Sequence, residues 1–174
     1  EGVPVFTLSR VDEKISSRSS LNLNGCNQTL TVLDFNNSYA TKGYYGHITS
    51  VDPAILRLKG RSDPATSYQL ISGKISLVVD AVDNPLFVQT LKSRAHTISG
   101  TLSVSNGTLK ASGSTFKNAG EVHVGEGGKF IAETSTAHSG MFAAVTNIVI
   151  DGSMEFGANI TSPFTDDVAD MSLG

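Results

Sequence analysis

The sequence predicts an all-β solenoid, a fold in which short strands wind into coils that stack on one another. A period of twenty residues, strands of alternating apolar and polar residues, and a low content of charge all indicate it. Gly100, Gly120 and Gly140 lie twenty residues apart, and the stretches that begin at the first two glycines are similar. One coil of such a repeat cannot bury its apolar side alone, so neighbouring coils must cover it.

The two similar stretches align without gaps over their first half. Alignment on the first glycine superimposes apolar residues and a second glycine pair: Leu102 over Val122, Val104 over Val124, Gly107 over Gly127 and, after a slip of one residue, Leu109 over Phe130. We therefore expect coils of about 20 residues in which these apolar side chains form columns inside the solenoid.

Composition favours the same fold class and excludes some partners. Asp, Glu, Lys and Arg make up 17% of the 174 residues, against roughly 25% in ordinary soluble domains. Gly, Ser, Thr and Asn, which suit turns and solvent-facing strand positions, take their place. The net charge is −3 and the basic residues are scattered, so we expect no nucleic-acid partner. No run of about 18 apolar residues occurs, so we expect no helical transmembrane segment in this chain.

Strands are predicted wherever alternating residues are bounded by turn residues. In chain order, they lie at residues 21–23, 28–33, 55–58, 74–79, 121–124, 147–150 and 154–156. The dipeptide Asn24-Gly25 is a strong turn signal and predicts a corner of the coil. The expected core residues around this corner are Leu21, Leu23, Leu30 and Val32.

We predict one continuous solenoid whose regularity changes near residue 83. Residues 1–83 form a less regular β region that contains the Leu-Asn-Gly motif, residues 84–160 form regular coils, and residues 161–174 form an acidic tail. The segment from Asn84-Pro85 to Leu91 marks the change, because it fits either a helical turn or a longer strand. Nothing obvious in the tail caps a coil, so we expect a piece of a longer protein or self-association through the solenoid ends.

Three segments of the chain form an ordered set of motifs. Residues 20–30 read SLNLNGCNQTL, residues 70–79 read LISGKISLVV, and residues 96–110 read HTISGTLSVSNGTLK. In this order they resemble the β-strand repeat of bacterial autotransporter passenger domains, over roughly residues 20–160. The chain departs from that family where Asn22 replaces the usual aspartate and where residues 80–94 replace a glycine-rich stretch.

The resemblance implies a right-handed parallel β-helix that is exported and displayed on a bacterial surface, attached to the outer membrane through sequence outside this chain. It implies a non-enzymatic adhesin, stalk, or matrix or assembly element at the cell surface or in the extracellular space. Host or matrix glycans, or surface proteins, are the expected partners, and no cofactor is expected. The alternative is a carbohydrate-binding or carbohydrate-active β-helix module, because β-helices also carry polysaccharide-cleaving enzymes.

The acidic residues and histidines form no recognisable catalytic or metal-binding set. Asp52-Pro53 and Asp63-Pro64 are typical of turn starts. Glu121 and His123 share one side of a strand, which is more typical of a solvated face than of an acid–imidazole pair. The four histidines lack metal-ligating spacing, and the single Cys26 has no partner for an intramolecular disulfide. We therefore predict no catalytic residue and no metal site.

A cluster of aromatic residues is the predicted binding site. Tyr39, Tyr44, Tyr45 and His47 lie close together in the sequence, and glycines flank the central tyrosine pair. Aromatic rings exposed on such a loop can stack against sugar rings or anchor a protein contact. The structural alternative is that one tyrosine packs onto the coil and the other covers a coil edge.

Overall fold

The computed structural model describes residues 5–7, 20–34, 46–92, 94–134, 140–161 and 170–173, the first and last of these as backbone only. The regular secondary structure of these residues is all β, and parallel strands stack as a solenoid of about five turns with a spacing of about 23 residues. The predicted all-β solenoid is confirmed. The strands are β1 Val5–Thr7, β2 Ser20–Asn22, β3 Gln28–Leu30, β4 His47–Leu58, β5 Ala65–Ser67, β6 Leu70–Asp80, β7 Val88–Lys92, β8 Thr97–Ile98, β9 Thr101–Ser112, β10 Glu121–Glu133, β11 Asn147–Ile150, β12 Ser153–Phe156 and β13 Asp170–Leu173.

One sheet winds through all of these strands. Its main path runs in the order β1, β2, β4, β6, β9, β10, β11, β13. The pair β1–β2 is antiparallel, and every later pair on the path is parallel. Because β6 pairs with β9, strands on both sides of residue 83 belong to the same sheet. The domain boundary near residue 83 and the right-handed sense of the winding stay predictions.

Coil length varies along the solenoid. Leu102 pairs with Val122, twenty residues later, whereas Leu77 pairs with Leu102, twenty-five residues later. Ile48 and Ile71 pair at a separation of twenty-three residues. The predicted period of about 20 residues holds for the step from β9 to β10. The other coils are longer because their strands are joined by longer connections.

The register of β9 and β10 corrects one part of the sequence alignment. Val104 pairs with Val124 as expected, but Gly107 pairs with Gly128 and not with Gly127. The slip of one residue therefore occurs before the glycines, because β10 has one more residue than β9 between these two pairs. An extra residue of this kind makes a β-bulge, which bends a strand and increases its twist.

Inward side chains stack in columns along the solenoid. One column of fully buried side chains contains Leu56, Leu77, Leu102, Val122 and Ile148, one from each successive coil. Each of them is covered by the equivalent residue of the neighbouring coil, and apolar burial stabilises by roughly 25 cal/mol per Å². The stability of the stack is therefore close to a sum of contacts between neighbouring coils.

The dipeptide Asn24-Gly25 forms the predicted corner. Its two residues have positive φ angles of 52° and 77°, and the Cys26 amide donates to the Leu23 carbonyl at 2.8 Å. Positive φ at both central positions is the signature of a type I′ turn. Of the four expected core residues, Leu23 is fully buried. The other three, Leu21, Leu30 and Val32, are partly buried and pack against the core.

The segment that begins at Asn84-Pro85 forms a turn and then a strand. The Asn84 amide donates to the Ala81 carbonyl, and the Phe87 amide donates to the Asn84 carbonyl, both at 2.9 Å. These bonds close two consecutive turns, with Pro85 at the second position of the latter, where its fixed φ is favourable. Strand β7 begins only at Val88, so neither predicted alternative describes the whole segment.

A buried amide side chain ties two coils together. Gln89 is fully buried, its Oε1 accepts from the Leu33 amide at 3.0 Å, and its Nε2 donates to the Leu33 carbonyl at 2.9 Å. The Gln89 side chain thereby binds both main-chain groups of Leu33, as a neighbouring strand would. Buried main-chain groups need such partners, because an unpaired one retains its full desolvation penalty.

Replacing Gln89 with leucine is expected to lower the free energy of unfolding by about 2 kcal/mol. Leucine fills a similar volume but leaves both main-chain groups of Leu33 without their partner. Chemical denaturation of the two proteins measures the difference. The half-buried neighbour Thr90 provides the control, since Thr90→Val should change stability by less than about 0.5 kcal/mol. Equal losses in both variants would contradict the role given to the amide.

Candidate functional site

The structure describes one of the four residues that the sequence predicts to bind a ligand. Tyr39, Tyr44 and Tyr45 lie outside the described residues. His47 opens β4 and is half-buried, with its Nε2 2.7 Å from the Ser72 Oγ. It therefore contacts the next coil and takes part in packing between coils.

Outward charged side chains pair across neighbouring coils in a repeated geometry. The Lys110 Nζ lies 2.7 Å from Glu133, and the Lys129 Nζ lies 2.6 Å from Glu155. In both pairs the glutamate lies two residues beyond the register partner of the lysine in the next strand. One exposed pair stabilises by less than about 1 kcal/mol, but the same diagonal occurs in two successive steps of the stack.

The other outward face carries similar links. Asp80 forms an ion pair with Arg57 of the preceding coil and accepts a hydrogen bond from the Asn106 Nδ2 of the next coil at 2.8 Å. The His123 Nε2 lies 3.2 Å from the Asp151 Oδ2, and both side chains are partly exposed. His123 thus contacts an aspartate that lies beyond its own strand. These contacts join coils, as expected for a solvated outer face.

His96 is the buried histidine of the described chain. Its ring is 1% exposed and stacks on Phe116 at 4.9 Å between centroids, and its Nδ1 accepts from the Ile71 amide at 3.2 Å. Its Nε2 has no hydrogen-bond partner among the residues that the structure describes. Burial, followed by the positive charge of Arg94, lowers the pKa of His96 from 6.5 to about 3. At neutral pH His96 is therefore an uncharged core residue.

A cleft on the outer surface gathers residues that the sequence analysis did not group. It has a volume of about 440 Å³. Its lining includes Asn27 from one coil, Pro53 and Ile55 from the next, Lys74 and Ser76 from the third, and Gly100 from the fourth. Paired strands lie about 4.8 Å apart, so a cleft across four coils extends for about 15 Å along the stack.

The cleft follows from a break in the register between β4 and β6. Ser50 pairs with Gly73, and Ala54 pairs with Ile75. Three residues of β4 lie between these two pairs, but only Lys74 lies between them in β6. The longer strand therefore bulges outward, and Lys74 is placed opposite the bulge.

Two small residues hold the bulge in place. The buried Ser50 hydroxyl donates to the Asp52 carbonyl at 2.6 Å and accepts from the Gly25 amide at 3.0 Å. Gly73 has a φ of 84°, and a Cβ there would lie 2.2 Å from the Ser50 carbonyl oxygen. Only glycine combines this conformation with so close an approach.

Three residues with hydroxyl or amide side chains line the cleft, and one of them, Ser99, donates its hydroxyl hydrogen to the Gly73 carbonyl at 3.5 Å. The Asn27 Oδ1 accepts from the Ile55 amide at 2.8 Å, and the Ser76 Oγ accepts from the Thr101 amide at 3.1 Å. The Asn27 amide nitrogen and the Ser76 hydroxyl hydrogen remain as donors. Lys74 is exposed, and its side chain forms no hydrogen bond or ion pair with the part of the chain that the structure describes.

Within the described ranges, no group of three or more His, Cys, Asp or Glu residues is arranged to hold a metal ion. The same ranges contain no helix with the length and apolar character that a bilayer crossing requires.

Comparison of the chain with protein-family models, curated proteins and solved structures finds no match in any of the three. The resemblance to autotransporter repeats therefore rests on the three sequence motifs. The first motif contains β2 and β3, the second lies within β6, and the third contains β8 and most of β9. All three thus contribute parallel strands to the solenoid.

Proposed function

We propose that this chain is a non-enzymatic β-solenoid, displayed on or secreted from a bacterial cell, that acts as an adhesin, a stalk or a matrix element. The observation that carries the proposal is the pairing of outward charges between successive coils. Arg57 with Asp80, Lys110 with Glu133, and Lys129 with Glu155 each join one coil to the next. These ion pairs stabilise the contacts between coils and distribute charge along the outer surface of the solenoid.

The stacked architecture supports such a role. Each coil of a solenoid contacts only its neighbouring coils, and the solenoid lengthens when further coils are added. Such a fold suits a spacer that holds a contact surface away from a cell. The three motifs that resemble autotransporter repeats support display at a bacterial surface. Tyr39, Tyr44, Tyr45 and His47 remain the contact residues proposed from the sequence.

The second candidate is a carbohydrate-binding or carbohydrate-active module, and the cleft favours its binding form. Glycoside cleavage by acid–base chemistry uses a pair of carboxyl groups on either side of the bond. The described lining of the cleft supplies an ammonium, hydroxyls and an amide, with no carboxylate among them. Such groups can hold a sugar by hydrogen bonds.

An adhesion assay separates these possibilities. Beads that carry the folded chain are expected to be retained on a polysaccharide- or cell-coated surface, with no soluble sugar fragments released. Beads that carry the same chain after denaturation are the control. Equal retention of both kinds of bead would contradict the adhesive role, and release of fragments would contradict the non-enzymatic one.

A further inference from the structure

We propose that the cleft across Asn27, Lys74 and Ser76 binds the carboxylate-bearing sugar residues of an acidic polysaccharide. The inference rests on the proposed adhesive function and names the class of ligand that the adhesive surface recognises.

The hydrogen-bonding capacity of the cleft selects an acceptor-rich ligand. Main-chain amides donate to the side-chain oxygens of Asn27 and Ser76, at 2.8 and 3.1 Å. The Asn27 amide nitrogen, the Ser76 hydroxyl hydrogen and the Lys74 ammonium are three donors left to bind a partner. The Ser99 hydroxyl donates to the Gly73 carbonyl at 3.5 Å and adds one acceptor, so donors predominate. A carboxylate only accepts hydrogen bonds, so it matches such a lining better than a ligand that must donate as well.

The charge of the cleft also favours an anionic ligand. The Lys74 ammonium is exposed, and no described carboxylate forms an ion pair with it. By contrast, Lys110 and Lys129 are paired with glutamates of the next coil. Lys74 therefore keeps its charge available for an anionic ligand, and a charge-assisted hydrogen bond is about twice as strong as a neutral one.

The form of the cleft favours a sugar polymer over an acidic peptide. A peptide gains affinity for a sheet by adding main-chain hydrogen bonds at an open edge. Here the amides of Ile55 and Thr101 are paired to side chains, and the Gly100 amide donates to the Ile75 carbonyl at 3.2 Å. The apolar surfaces of Pro53 and Ile55 can instead cover the carbon-bound hydrogens of a sugar ring. A cleft of about 15 Å across four coils suits several linked rings.

Isothermal titration calorimetry with oligoglucuronate tests the proposal. The methyl ester of the same oligosaccharide is the matched probe without charge, and the wild-type chain is expected to bind only the acid form. Lys74→Met removes the ammonium and should weaken binding about tenfold. Asn27→Asp keeps an oxygen for the Ile55 amide but replaces the donor with a negative charge, so it should weaken binding more than about tenfold. Lys117→Met makes the same charge change at an exposed site outside the cleft and should leave affinity unchanged.

Several results would overturn the proposal. The first is that the wild-type chain binds the methyl ester, or an oligoglutamate peptide, as tightly as it binds oligoglucuronate. The second is that Lys117→Met weakens binding as much as Lys74→Met does. Absence of oligoglucuronate binding would also reject the acidic ligand. Adhesion to cell-coated surfaces is measured without oligoglucuronate, so retained adhesion would then leave the proposed function standing while the cleft inference fails. Oligoglucuronate binding without bead adhesion would reject the proposed adhesive role instead.

Discussion

Replacing Gly73 with alanine is expected to lower the free energy of unfolding by more than about 3 kcal/mol. The φ of 84° is strained for any L-residue with a side chain, which costs on the order of 1 kcal/mol or more. The added Cβ would also lie 2.2 Å from the Ser50 carbonyl oxygen. This oxygen belongs to the backbone, so relief of the clash requires β4 and β6 to separate where Ser50 pairs with Gly73.

Denaturant titration followed by circular dichroism measures this loss. Gly125→Ala is the matched control, because a Cβ there would meet its nearest neighbour, the Ser105 Cα, at an ordinary 3.4 Å. The control should lose less than about 1 kcal/mol. If both variants unfold at the same denaturant concentration, the close approach of β4 and β6 at Gly73 is not a feature of the folded protein.

Acid is expected to destabilise the fold through His96. Its pKa is lowered from 6.5 to about 3 by burial and then by Arg94, so the unfolded chain binds this proton more readily than the folded chain does. The contribution of the neutral ring is therefore fully present above pH 6.5 and is lost as the pH falls toward 3. Each pH unit across that window costs about 1.4 kcal/mol, so the total loss is about 5 kcal/mol.

The pH dependence of unfolding in two variants isolates this effect. His96→Asn keeps an acceptor for the Ile71 amide but cannot be protonated, so its stability should fall less steeply between pH 6.5 and 3 than that of the wild type. Thr115→Val removes a buried hydroxyl beside His96 without touching the titration, and its slope should match the wild type. A wild-type slope in the His96→Asn variant would show that the imidazole does not set the acid sensitivity.

Local sequence signals predicted the parts of the fold that depend on near neighbours. Asn24-Gly25 was assigned to a corner because its two residues tolerate positive φ, and both adopt it. Strands were expected where apolar residues alternate, and the pair Leu102 and Val122 stacks in register as the repeat indicated. These features are encoded within a few residues or within one repeat.

Other features depend on residues from several coils and could not be predicted. The cleft requires Asn27, Lys74 and Ser76 to meet, and their approach depends on three residues of β4 that bulge opposite a single residue of β6. The burial of His96 likewise depends on Phe116, which stacks on it from the next coil. A single histidine or lysine in the sequence carries no signal of either environment, because the register between coils decides it.

A glycan array tests most directly whether this solenoid is an adhesive element that recognises acidic sugars. The wild-type chain, the Lys74→Met variant and a variant with both Tyr44 and Tyr45 changed to alanine would be applied to identical arrays. We expect the wild type to retain carboxylate-bearing glycans and the Lys74→Met variant to lose most of that signal. Failure of the wild type to retain any glycan would contradict the account, and a loss confined to the tyrosine variant would move the binding site from the cleft to the predicted aromatic cluster.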